Sequence, residues 1–132
     1  SEAWVSDGDP ADGIDSLAAW PTEDGAVWLV ATAKTRHHLL LIDAATGKRL
    51  RTIGERGEAP GQFNRPNGVA IWGDLLFVVE RDNHRVQALR LPDFAPLATF
   101  GADVLRSPYG LWINELSPQR LELLVTDSFM AD

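Results

Sequence analysis

The residues that could do chemistry in this chain are scattered cations and carboxylates rather than one compact motif. Lys34, Arg36, Arg56, Arg65, Arg81 and Arg106 sit in polar connections, as do Asp12, Asp15 and Asp127. Gathered at a common mouth, such a mixture suits a phosphate ester held with a divalent metal. Arg and Lys neutralise phosphate oxygens, and clustered carboxylates bind Ca²⁺ through hard oxygen ligands. A metal held in this way lowers the pKa of a bound water and makes it a nucleophile. Other chemistries lack their signatures. His37, His38 and His84 do not have the paired spacing of a zinc site. No Ser–His–Asp arrangement can be argued from scattered positions, and no catalytic residue is assigned.

The elements that must position these residues are strands. Within Arg65 to Leu91, three short apolar runs follow one another: Gly68 to Trp72, Leu75 to Val79, and an alternating run from Arg85 to Leu91. Gly73-Asp74 separates the first two and the polar knot Glu80 to His84 the second two. A fourth run, Leu97 to Phe100, follows the turn Pro92 to Pro96. Alternation bounded by Gly, Asp and Asn marks an antiparallel meander. Four strands in about forty residues make one propeller blade.

The same grammar appears upstream in Asp15 to Trp20, Val27 to Thr32, Leu39 to Asp43 and Leu50 to Ile53, and downstream in Tyr109 to Ile113 and Leu121 to Thr126. Leu17 lies 52 residues before Val69, and Val69 lies 42 before Leu111. A helical reading fails because Gly and Pro recur in every candidate window. The expected fold is therefore all-β, a partial β-propeller of four-stranded antiparallel blades. The divisions are an acidic arm over 1–13, a blade over 14–54, a blade over 66–101 and a half blade over 108–128. Closure of a ring needs at least four blades, so the expectation is a piece of a larger ring. An edge strand and an uncovered apolar face predict self-association of the isolated piece, unless further blades complete it.

In such blades the loops between second and third strands share a rim with the connections between blades. That rim collects all nine residues named at the outset, and the opposite rim is mostly short turns. Loop-rich faces are where repeat folds carry function. Asp82, Asn83 and Arg85 read as repeat architecture, two turn-capping side chains and an Arg that reaches neighbouring carbonyls or a carboxylate. Trp20 and Trp72 fall at equivalent strand ends and are expected to pack between blades. His37-His38 reads as a solvated pair, and Asn67-Gly68 as a turn.

Two resemblances follow. Pro66 to Ile71 with Arg81 to Gln87 resembles an NHL repeat, a blade motif of many binding propellers and some enzymes. Asp12 to Trp20, Ala31 to Lys34 and Leu39 to Leu50, with Val79-Glu80-Arg81, resemble the opening of the β-propeller phytases. That second resemblance implies a six-bladed ring, calcium dependence and hydrolysis of phosphate monoesters by a secreted or periplasmic enzyme. By position it implies Lys34 and Arg81 as phosphate-binding cations and Asp15, with Asp12, as metal carboxylates. The sequence departs from the phytase pattern at Ile14-Asp15 and Ser16-Leu17, where a double acid and a proline would stand. The alternative, from a different class, is a non-catalytic NHL-type scaffold for a protein or ligand.

Bulk properties narrow the partners. The 132 residues carry 19 acidic and 12 basic side chains, a formal charge of −7. That balance opposes general binding to nucleic acid or to an anionic membrane. The charge is uneven, since residues 1–33 contain seven acids and no Lys or Arg. No apolar run approaches the roughly 20 residues that span a bilayer. With no cysteine, disulfides and thiolate metal sites are excluded and the compartment is left open.

Overall fold

Among the described residues, ten strands form three antiparallel sheets in strict chain order. A computed structural model describes residues 13–127; Asp12 lies outside the described residues. The first sheet contains β1 (Ile14–Pro21), β2 (Val27–Ala33), β3 (His38–Asp43) and β4 (Arg49–Ile53). The second contains β5 (Pro66–Trp72), β6 (Leu75–Glu80), β7 (Arg85–Arg90) and β8 (Ala95–Phe100). The third pairs β9 (Pro108–Ser117) with β10 (Arg120–Asp127). Each strand pairs only with its neighbours in sequence, the topology of successive propeller blades.

Period-2 alternation decides how the sheets stack. In β2 and β3, Trp28, Val30, Leu39 and Leu41 turn to one side and meet Val69, Leu76, Val78 and Leu89 of the second sheet. The other side of the second sheet presents Phe77, Val79, Val86 and Ala88 to Leu111, Ile113 and Leu123 of the third. Two layers of apolar side chains therefore run between three stacked sheets. The first strands come together at one edge, since β1 packs on β5 and β5 on β9.

That edge leaves little room, which explains Asn67-Gly68. The pair lies inside β5 and is buried, rather than forming the turn expected from its residue types. A Cβ on Gly68 would stand 2.9 Å from the carbonyl oxygen of Tyr109 in the next blade. Gly is needed here for close approach of two backbones, the second common reason for Gly in a strand.

The connection 54–65 is a built loop rather than a slack linker. Phe63 folds back into the first apolar layer and is fully buried. Its amide donates to the Glu55 carbonyl at 2.9 Å, and the Gly57 amide donates to the Phe63 carbonyl at 3.0 Å. A Cβ on Gly54, whose φ is 85°, would collide with the Phe63 ring at 2.4 Å.

Candidate functional site

The four-residue turns between second and third strands carry the two expected cations, whereas Asp15 lies within β1 rather than in a polar connection. Lys34 opens the turn 34–37 of the first blade, and Arg81 opens the turn 81–84 of the second. The two cations occupy equivalent positions. Each turn ends in a histidine in the left-handed region, His37 at φ 59° and His84 at φ 55°.

His37 is half-buried rather than fully solvated, whereas His84 is exposed, and each has a partner across a blade junction. Nδ1 of His37 accepts a hydrogen bond from the Arg65 amide at 2.9 Å, in the entry to the next blade. His84 makes the same reach one blade on, to the Arg106 carbonyl. His38 is not a loop residue but opens β3. The rim is continued by the Arg81 amide, which donates to the Arg65 carbonyl at 3.0 Å. At the far end Asp127 accepts from the amides of Arg106 and Ser107, each at 2.8 Å. The turns bearing Lys34 and Arg81 thus stand on one hydrogen-bonded rim.

The expected ligand groups are each engaged locally. Lys34 Nζ lies 3.5 Å from the Asp15 carboxylate. Arg81 Nε lies 2.8 Å from Asp82. Both pairs are partly exposed, so each contributes less than about 1 kcal/mol and exchanges readily. Among the described residues no three His, Asp or Glu side chains come together as a metal site. Asp15 alone, paired with a lysine, does not supply the six or more oxygens that Ca²⁺ takes.

The densest polar chemistry lies beside this rim, in residues that strand alternation disguises. Glu80 ends β6 and Arg85 opens β7, directly paired across the strands. The Glu80 side chain is fully buried, and its Oε2 lies 2.8 Å from Arg85 Nε. Gln87 Nε2 donates to the same carboxylate at 3.1 Å, and Asn83 Nδ2 to its other oxygen at 2.7 Å.

The remaining donors of this network grip the 54–65 connection. Arg85 donates to the carbonyls of Glu58 at 2.6 Å and Gln62 at 3.0 Å. Asn83 donates to the Gly57 carbonyl at 2.8 Å, and Gln87 accepts from the Gly61 amide at 2.6 Å. An isolated buried charge would be expelled or neutralised; here both Glu80 oxygens and all three guanidinium nitrogens of Arg85 have hydrogen-bond partners. Asn83 and Arg85 behave as the repeat architecture expected of them. Glu80 and Gln87 were not singled out in the sequence, although their place opposite and two beyond Arg85 was a usable signal.

Comparison with known proteins places this network in context. Residues 63–89 match the NHL repeat. NHL repeat-containing protein 2 of Gallus gallus is 35% identical over 66 residues, which cover 45% of this chain and 9% of that protein. A solved chain of Kuenenia stuttgartiensis hydrazine synthase superposes with a TM-score of 0.58 at 18% identity, covering 81% of this chain and 27% of that one. The chain therefore spans only a small part of these two proteins. The structural likeness bears on fold alone and agrees with a partial β-propeller.

Proposed function

We propose that this chain forms part of a non-catalytic NHL-type β-propeller scaffold, and that its loop rim is the surface a protein or ligand partner engages. One observation carries the reading. The buried Glu80, Arg85 and Gln87 side chains and the half-buried Asn83 hold the connection 54–65 through its own backbone carbonyls and amides. A loop fixed in one shape before binding loses less conformational entropy when a partner arrives. Its exposed positions, among them Arg56 and Glu58, are left to the outside. Rigid sheets with a preorganised loop are a common platform for recognition.

A phytase-like hydrolase is the second reading. It is supported by Lys34 and Arg81 standing at equivalent turn positions of one rim. It requires Asp15 to leave Lys34 for a metal, and it requires carboxylates from outside the described residues.

Photo-cross-linking residues placed at Arg56 and Glu58 of the whole protein, and at Asn114 as a control, test the scaffold reading. Discrete adducts from the two loop positions but not from Asn114 are the expected result. Adducts of equal yield from all three positions would overturn it.

A further inference from the structure

The opposite rim holds a groove of ≈ 690 Å³ between the first and second blades. Trp20 and Trp28 line it, with ring centroids 5.4 Å apart and planes tilted by 45°. Glu23, Asp24, Asp43 and Asp74 also line it, and no Lys or Arg does. The Trp20 ring is fixed across the blade junction, because its Nε1 donates to the Gly73 carbonyl at 2.9 Å. Arg90 stands beside the groove, paired with Asp74 at 2.9 Å. Hydrogen bonds from the Thr22 hydroxyl and the Ala26 amide hold the Asp24 carboxyl below its ordinary pKa.

We infer that this groove binds a lysine- or arginine-bearing peptide segment of a partner protein. The argument is charge complementarity over an aromatic surface. Indole rings attract cations through their faces, Trp more strongly than other aromatics. The stems of Lys and Arg cover apolar surface while their charged ends meet carboxylates. The four carboxylates come from three separate places, the turn after β1, the end of β3 and the turn after β5. Negative charge spread in this way suits several cations along one chain better than a single compact ammonium ion. The volume lies in the usual range of ligand sites. The chain as a whole is acidic, but here the acids surround a pocket with an apolar floor, which a merely solvated acidic face does not have. This site is separate from the loop rim of the proposed function.

Fluorescence anisotropy of a labelled peptide alternating Lys and Arg with Gly and Ser tests the inference on the full chain. Expected are saturable binding, weakening with added salt, and no binding of the Glu counterpart peptide. The variant Glu23→Gln/Asp74→Asn should weaken binding about tenfold. Removing the same charge elsewhere, in Asp103→Asn/Glu115→Gln, should leave affinity within about twofold. The single variant Trp28→Phe keeps a ring and should cost about threefold to tenfold, since the indole is the better cation partner. Thermal melting of each variant confirms that it is folded. Equal affinity of the wild type and Glu23→Gln/Asp74→Asn, or failure of the basic peptide to bind at all, would overturn the inference. Tight binding of tetramethylammonium without binding of the peptide would also overturn it.

Discussion

His37 accepts a hydrogen bond from the Arg65 amide across the junction between two blades, and this requires its Nδ1 to carry no proton. His84 faces a carbonyl in the corresponding place. A carbonyl only accepts, so there Nδ1 must carry the proton. Two histidines in equivalent turns thus have opposite proton requirements.

Acid should therefore loosen the first junction. Burial holds the His37 pKa below its ordinary value, and the Arg56 and Arg65 charges add to this against the opposing effect of Asp82. A depressed pKa means the folded state favours the neutral ring. The contribution is fully present above the unfolded histidine pKa of about 6.5 and is lost as pH falls through the lower folded value. Melting temperature measured from pH 8 to pH 5 should fall less for His37→Asn than for the wild type. Asn tolerates the left-handed backbone and does not titrate. Identical acid sensitivity in the two proteins would contradict this.

Glu80→Ala should be the most damaging single change in the second blade. It strands Arg85 without its carboxylate, and breaking a buried pair from one side costs about 3–5 kcal/mol. Urea denaturation reads the loss. The double variant Glu80→Leu/Arg85→Met should cost less than the two single changes added together. Hydrogen exchange in residues 55–64 should quicken in Glu80→Ala, because the grip on that loop passes through Arg85 and Gln87.

Gly68→Ala tests the contact between β5 and β9. The added methyl would meet the Tyr109 carbonyl oxygen at 2.9 Å, and a backbone atom cannot turn aside as a side chain can. A destabilisation of about 1–3 kcal/mol is expected from such overpacking. Gly73→Ala is the companion measurement. A Cβ there meets nothing within 4 Å, although its φ of 60° brings a strain of its own. Gly68→Ala should nonetheless be the costlier of the two.

The 132-residue chain on its own should self-associate. Trp112 and Leu124 are cross-strand partners on the outward face of the third sheet, 57% and 48% exposed. Light scattering should report species larger than a monomer, and Trp112→Ser/Leu124→Ser should reduce them. A monodisperse monomer would contradict the expectation.

Strands were legible in this sequence because alternation and punctuation are local. Leu75 to Val79 and Leu39 to Asp43 announce themselves within a few residues, and β6 and β3 lie there. The fate of Glu80 was not local. An acid at a strand end reads as solvated, and only the return of Phe63 and its loop over the second sheet buries it. His37 is similar, since its partner Arg65 belongs to the next blade. Asn67-Gly68 misled for another reason: two turn-forming residue types stand where backbone proximity, not a turn, demands a missing side chain. The rim itself was deducible from strand order. Which cation pairs with which carboxylate was not, because Asp15 meets Lys34 only through the pairing of β1 with β2.

The claim that this rim recognises rather than hydrolyses is tested most directly by phosphate release from phytate by the whole protein, with and without calcium. Release no faster than the buffer blank, with no calcium-dependent rise in melting temperature, is the predicted result. Calcium-dependent release that disappears in Lys34→Ala or Arg81→Ala, each folded as the wild type, would contradict it.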